Sequence, residues 1–312
     1  MSGITIGVDV GGTTVAAGLV SADGRVLEHV QAPTHERGAG AALETIVELL
    51  DRLQDSARAR GVAVTGVGIG VPGTVDAERG VVGVDVHYAP ELIGLPLAAR
   101  LEPRVGAPVF VDNDVNALAL AEWTWGAGRG ARSLVMLALG TGVGAGIVLD
   151  GRLHRGAAGF GGELGHVPID FDGRPCICGS RGCLKTYVSG TDIARRGEER
   201  LGRPTAADEV FRLAAAGRVE AEEIVDEVCR ALGAGLAVIV NGLNPERVLL
   251  AGSVAKSLRP LEARVRASLA RYAFAAALAA TRLEILSLDK DATVRGGAAL
   301  VRYETDRRRT TA

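Results

Sequence analysis

Residues 109–122 read VFVDNDVNALALAE, and the fold turns on this stretch. Val109 to Asp112 forms an apolar run typical of a buried strand. Asn113 and Asp114 then stand at a strand-to-helix junction, where Asn and Asp commonly cap helices. Leu118, Ala121 and Trp123 fall on the helix that follows. A carboxylate at the carboxyl end of a strand lies where open α/β sheets receive ligands, and such a group can take a proton from a substrate hydroxyl. At this point Asp112 and Asp114 admit two readings, as helix caps or as a base.

Working outward, Ile4 to Val10 reads as a strand that ends in Asp9-Val10-Gly11-Gly12-Thr13-Thr14, with a second strand over Val15 to Val20. Ala22-Asp23-Gly24-Arg25 is a hairpin turn into a third strand. The glycines let backbone approach an anion closely, and Thr13 and Thr14 offer hydroxyls and amides to it. Asp9 is placed to hold a magnesium ion through water; an ordinary glycine hairpin is the plainer reading. Downstream, a strand over Ser133 to Leu139 enters Gly140-Thr141-Gly142-Val143-Gly144, then a strand to Leu149, then the turn Asp150-Gly151. GGTTVAAGLVSADGRV and GTGVGAGIVLDGRL share order, turn type and hairpin. The two look like copies of one unit, which predicts two similar domains, each with a phosphate-cradling hairpin facing a shared cleft.

Composition narrows the classes. A chain of 312 residues carries a soft prior of two domains. With 47% hydrophobic residues, 43 glycines and 4% aromatics, it suits an Ala/Gly/Val-rich α/β protein and excludes disorder. A net charge of −2 provides no broad basic face, so nucleic acid is not expected as the main partner. No apolar run is long enough to span a bilayer. The N-terminus lacks the charged region and cleavage site of a leader, so a cytoplasmic location is expected.

Three of the four cysteines, Cys176, Cys178 and Cys183, fall within eight residues. In a chain read as cytosolic this favours metal over disulfide. GFGGELGH (159–166) adds Glu163 and His166. His166 with the three cysteines makes a four-ligand set of the structural zinc type, though not with the spacing of a zinc finger. If one nitrogen of His166 binds metal, the other is free for a neighbour or a ligand.

The remaining elements are helices over Ala41–Ala59, near Leu97, Thr186–Leu201 (with Ser189-Gly190-Thr191-Asp192 as a cap), Ala221–Val240 and Thr293–Tyr303, and strands over Val67–Val71, Val248–Leu250 and Leu283–Leu286. The strand at 248–250 runs into Ala251-Gly252-Ser253 and a helix to about Ala270; Gly252 either faces a nucleotide or only reverses the chain. Arg307 to Arg309 read as a solvated basic tail, and Cys229 as a small buried residue on a helix.

Together these motifs resemble the ROK group (repressors, open reading frames and sugar kinases), specifically its bacterial, zinc-containing glucokinase-like kinases. The resemblance covers essentially the whole chain. Asp9-Val-Gly-Gly-Thr matches the first phosphate motif and Leu139-Gly-Thr-Gly-Val-Gly the second. Asn113-Asp114-Val-Asn116 matches the catalytic motif. Glu163-Leu-Gly-His166 with Cys176-x-Cys178-Gly-x-x-Gly-Cys183 matches the sugar-and-zinc signature.

The resemblance implies an α/β, actin-like (ribonuclease H-like) two-domain ATPase/sugar kinase fold with a cleft between the domains. Residues 1–113 plus 294–312 would form the smaller domain and 114–293 the larger, with the zinc loop. Asp114 would be the base that activates a sugar's primary hydroxyl. Gly73, Asn113, Glu163, His166 and Lys185 would line the sugar site. Asp9 would act on Mg-ATP. Gly11, Gly12, Thr13, Thr14, Gly140, Thr141, Gly142 and Gly252 would serve the nucleotide. Zinc would be held by His166, Cys176, Cys178 and Cys183. ATP is expected over polyphosphate, because members using polyphosphate generally lack the cysteine cluster. A dimer or tetramer is implied. The family's repressors carry a helix-turn-helix before the first phosphate motif; with eight residues before Asp9, a DNA-binding repressor is not expected, and a non-catalytic sugar-sensing regulator is the remote alternative to a kinase. Two departures stand out. Thr14 occupies a place where many members have Lys. Lys185 occupies a place, two residues after Cys183, where glucose kinases usually have Glu. A carboxylate accepts hydrogen bonds and an ammonium only donates, so a glucose-like substrate bearing an acceptor, such as a cyclitol ketone or another modified hexose, is the alternative to glucose itself.

Overall fold

The computed structural model describes residues 3–35, 38, 40–84, 86 and 89–311. Packing divides the chain into two units. Unit 1 comprises Met1–Gly130, Leu153–Gly161 and Asp289–Ala312; unit 2 comprises Ala131–Arg152 and Gly162–Leu288.

In unit 1 the strands are β1 (Ile4–Val10), β2 (Thr14–Val20), β3 (Val26–Pro33), β4 (Val64–Val71), the short pair β5 (Val75–Asp76) and β6 (Val81–Val82), and β7 (Val109–Asn113). Among the described residues they form a sheet in the order β3-β2-β1-β4-β7, with β5 and β6 apart. β1 to β3 run antiparallel, and β4 and β7 run parallel to β1. The second sheet holds β8 (Leu134–Leu139), β9 (Val143–Leu149), β10 (Arg152–Leu153), β11 (Arg247–Ala251) and β12 (Arg282–Ile285), all in unit 2 except Leu153. Their order is β10-β9-β8-β11-β12, with β8 antiparallel to β9 and parallel to β11, which pairs in parallel with β12. The two sheets thus have the same topology, and the two Gly-Thr hairpins occupy equivalent places in it, as the repeated sequence implies.

Each sheet is buried by its own helices. On one face of β1, Ile6, Val8 and Val10 join a core with Ile46, Leu50 and Leu53 of the helix Ala42–Ala59. Side chains alternate along a strand, so Gly7 faces the other way, onto the helix Ala292–Thr311. That helix lies very close to the sheet. A Cβ on Gly7 would sit 1.8 Å from the Val294 carbonyl oxygen, and one on Gly68 would sit 1.9 Å from that of Gly297. In unit 2 the long helix Val219–Leu243 supplies Val225, Val228, Leu232 and Leu236 to the core built on β8, β9 and β11.

Three expectations need correcting. The helix Asp114–Thr124 was assigned to the second domain, with a boundary after 113. It packs on the helix Ala292–Thr311 and belongs with unit 1, which runs on to Gly130. The helix expected over 186–201 is two helices, Lys185–Val188 and Gly190–Leu201, because Ser189 leaves helical geometry to cap the second and accepts from the Asp192 amide at 3.2 Å. Arg308 and Arg309 are solvated as expected, but the segment is helix and not a tail: the last helix runs to Thr311, Arg307 pairs with Glu304 at 2.8 Å, and Arg308 lies over the Phe110 ring. No helix among the described residues is long and apolar enough to cross a membrane.

Gly7→Ala or Gly68→Ala should destabilise the protein by at least the roughly 1–3 kcal/mol typical of overpacking, because backbone carbonyls cannot swing aside. Urea unfolding measures this, and an unchanged midpoint in both variants would disprove the close packing of sheet and helix.

Candidate active site

Parallel pairing brings the acids of unit 1 together. Register sets Asp9 on β1 opposite Gly70 on β4, and Gly70 opposite Asp112 on β7. Two residues on, Asp114 begins the helix Asp114–Thr124. Its Cα stands 3.1 Å from where a Cβ on Gly70 would be, so the acid lies over the ends of the strands. Both Asp9 and Asp114 are half-buried. Loss of hydration pushes the Asp114 carboxyl up to about 7, and the neighbouring Asp9 charge adds to the shift. Burial raises Asp9 as well, opposed by a hydrogen bond from Thr293. Two acids held close and short of water favour sharing their charge with a cation or a proton.

The helix cap is Asn113, not either aspartate. Its Oδ1 accepts from the amides of Val115 at 2.9 Å and Asn116 at 3.1 Å, and its Nδ2 donates to the Gly73 carbonyl at 3.0 Å. Gly73 has φ 81°, a backbone that suits glycine. The expected site residues Gly73, Asn113 and Asp114 are therefore joined; Asp114 Oδ1 shares the Val115 amide with Asn113, at 2.9 Å.

Asp112 serves a network absent from the sequence analysis. Arg155 reaches Asp112 Oδ2 through Nε at 2.7 Å and Nη2 at 2.6 Å, and the same Nη2 reaches Glu304 Oε1 at 2.6 Å. Asp112 and Glu304 are each 2% exposed. These partners lie 43 and 149 residues from Arg155 in the chain, and no motif marks them.

The first glycine turn, Gly11 to Thr13, joins β1 to β2; Gly11 donates to the Thr14 carbonyl at 3.0 Å, and Thr13 is exposed. In unit 2 the equivalent turn joins β8 to β9, with Gly140 donating to the Gly142 carbonyl at 3.0 Å. Nothing lies within 4 Å of the positions a Cβ would take on Gly140 or Gly142, so the turn has open space on its side-chain face. The amide of Gly190 donates to the Gly140 carbonyl at 2.7 Å and the Thr191 hydroxyl to the Thr141 carbonyl at 2.9 Å. Gly252 reaches the same place. It has φ 102°, and a Cβ there would lie 2.4 Å from the Leu139 carbonyl oxygen. That contact explains the glycine structurally and sets it beside the Gly140 turn.

Glu163 and His166 sit at a short turn, Leu164–His166, laid against β9: a Cβ on Gly165 would lie 2.4 Å from the Val143 carbonyl oxygen. His166 divides its two nitrogens. Nδ1 is 3.5 Å from Cys176 Sγ, and Nε2 is 4.0 Å from Glu163 Oε2. Cys178 and Cys183 sulfurs are 3.7 Å apart, and the ligand atoms of His166, Cys176, Cys178 and Cys183 all lie within 4.8 Å of one another. Sulfurs sharing a tetrahedral zinc at about 2.3 Å stand about 3.8 Å apart, so the donor set fits that ion. Burial, with Cys176 and Cys178 close by, otherwise pushes the Cys183 thiol up to about 12. Lys185 opens the helix Lys185–Val188. It is half-buried, and among the described residues its ammonium has no hydrogen-bond or ion-pair partner.

Comparison with known proteins shows the family and the fold. The ROK family profile matches residues 5–304. A glucokinase of Halalkalibacterium halodurans is 35% identical over 319 residues, spanning 96% of this chain and 95% of its own. A ROK hexokinase from Thermus thermophilus superposes with a TM-score of 0.83 at 35% identity, over 97% of this chain and 99% of that one. A ROK family glucokinase from Streptomyces griseus, solved in complex with glucose and AMPPNP, superposes with a TM-score of 0.75 at 31% identity, over 96% and 99%. The actin-like α/β class expected from the sequence is borne out.

Two outcomes follow from the site's physics. With a folded pKa of about 7 against 3.8, the carboxyl of Asp114 contributes stability fully present below pH 4 and lost as pH rises to 7, at most about 4 kcal/mol. Asp114→Asn should therefore raise Tm most at pH 8, with the gain shrinking toward pH 4; thermal melts at both values check this, and a gain that did not depend on pH would refute it. Elemental analysis should find about one zinc per chain, and Cys183→Ser should lose the metal and melt earlier. A wild-type protein whose Tm ignores chelation would rule out a structural metal.

Proposed function

The chain belongs to the ROK family, and on that premise we propose that it is an ATP-dependent sugar kinase acting on the primary hydroxyl, the 6-position, of glucose or a glucose-like hexose. The observation that carries the reading is Asp114 over the strand ends, with its pKa raised to about 7 by burial and by Asp9. A neutral primary alcohol is a poor nucleophile. A carboxylate within hydrogen-bond reach orients it and accepts its proton late in phosphoryl transfer, and a base poised near neutrality holds that proton well.

Asp9 acts on Mg-ATP, through water on the metal. Bound magnesium neutralises charge on the phosphate oxygens. The turns Gly11-Gly12-Thr13-Thr14 and Gly140-Thr141-Gly142, with Gly252 beside the second, offer amides and hydroxyls to the triphosphate. Asn113 keeps one N–H beyond the bond it makes to Gly73, and with Glu163 and His166 it addresses sugar hydroxyls. Zinc at His166 Nδ1 leaves the proton on Nε2, toward Glu163, and so makes this ring edge a donor. The role of the metal is to order a loop with little core of its own.

A second reading, in which the substrate is a modified sugar or a sugar-like cyclitol, draws support from Lys185. A half-buried ammonium without a partner among the described residues suits an acceptor on the ligand, such as a carbonyl.

Asp114→Asn should keep sugar affinity and lose phosphorylation by several orders of magnitude; near-wild-type turnover in a coupled ATPase assay would refute the base. A panel of hexoses and cyclitol ketones separates the two substrate readings. If glucose exceeds every other compound by a wide margin in kcat/KM, Lys185 has no special role.

A further inference from the structure

The buried charges beside the base are more than a strut. Asp112 stands two residues before Asp114, and every bond it makes bears on the step between strand and helix. Its Oδ1 accepts from the Asn113 amide at 2.7 Å and from Asn116 Nδ2 at 2.9 Å. One of these donors precedes Asp114 and the other follows it, so a single carboxylate grips both sides of the residue that carries the base. Asn116 is 4% exposed and its Oδ1 has no partner, so its orientation rests on Asp112 alone among the described residues.

Asp112 holds this grip only while its charge is balanced. Its Oδ2 faces Arg155, and it has no route to water at 2% exposure. Arg155 is itself held on the far side by Glu304, which is equally buried. The guanidinium has the fork that lets one cation satisfy two carboxylates in fixed directions. Its backbone is anchored too: the Gly161 amide donates to the Arg155 carbonyl at 2.7 Å, and the neighbouring Leu153 amide donates to the Tyr303 hydroxyl at 3.0 Å.

We propose that Arg155 is a positioning residue for Asp114: by bridging Asp112 and Glu304 it fixes the strand-to-helix step from which the base projects, and so it governs kcat more than substrate affinity. Without this cation a buried, unpaired carboxylate must turn toward water or take up a proton. Turning releases Asn113 and Asn116, and protonation weakens Oδ1 as their shared acceptor. A displacement of about 1 Å at the reacting group is enough to cost roughly 100-fold in rate. Arg155 also lies in Leu153–Gly161, a segment of unit 1 that leads on along the chain to Glu163. Action through Glu163 would instead appear in the KM of the sugar.

The proposal rests on Asp114 being the base, so the experiment runs Asp114→Asn beside Arg155→Met and Arg155→Lys. Steady-state kcat and both KM values are measured well below each variant's Tm. Arg155→Met should lose roughly 100-fold in kcat with both KM values near wild type. Arg155→Lys keeps a cation at Asp112 but loses the fork, so it should fold if the Met variant does not and should recover part of kcat. Wild-type kcat in a folded Arg155→Met or Arg155→Lys, or a loss confined to the sugar KM, would overturn the proposal while an inactive Asp114→Asn left the base assignment standing. Turnover in Asp114→Asn would instead remove the base assignment.

Discussion

The structure depends on holding two carboxylates where water is scarce. Parallel pairing of β1, β4 and β7 brings Asp9 and Asp112 to the same end of one sheet, and the helix that starts at Asp114 adds a third acid. Like charges in a poorly hydrated place repel and favour protonation. One of the three is neutralised internally, since Asp112 has Arg155. The other two remain without a cation from the protein among the described contacts, and their carboxyls are pushed up. The surroundings must absorb the cost. The near contact of the Ala292–Thr311 backbone with glycines of β1 and β4 buries the face behind the acids, and it brings Glu304 to Arg155 and Thr293 to Asp9.

Unit 2 solves a different problem with the same topology. The loop from Gly162 to Cys183 has exposed apolar residues, Phe171 at 91% and Ile177 at 76%, and little core. The four donors His166, Cys176, Cys178 and Cys183 converge there in an arrangement that fits a zinc ion. His166 belongs to both the metal set and the pair with Glu163, so order imposed on one ring nitrogen is passed to the other. The Gly140 turn is built from backbone contacts to Gly190 and Gly252 and leaves its own side-chain face open.

What the sequence makes legible is local. Glycine-threonine turns between apolar alternations mark hairpins whatever surrounds them, and the repetition of the pattern reports two sheets of one topology. The histidine and cysteines lie within eighteen residues, so their convergence needs no knowledge of the fold. Asn113 as a cap is likewise short-range chemistry. What stays hidden is made by distant partners. Arg155 looks like any surface arginine until Asp112 and Glu304 close on it from 43 and 149 residues away. The helix Asp114–Thr124 is apolar on almost every side, and only its packing on the last helix decides which unit it joins. Arg307 and Arg308 read as a tail because their partners, Glu304 and Phe110, matter only once the helix forms. Lys185 stands between these cases: its departure from the family pattern is visible in the sequence, and its lack of a partner among the described residues is visible only in the structure.

The central claim is that one carboxylate meets the alcohol it activates. A crystal structure of the protein with a sugar substrate and a non-hydrolysable ATP analogue tests this most directly. The account predicts an oxygen of Asp114 about 2.6–3.2 Å from the primary hydroxyl of the sugar, with that hydroxyl facing the terminal phosphate of the analogue. A sugar bound with its primary hydroxyl away from Asp114, or with another side chain in that position, would contradict it.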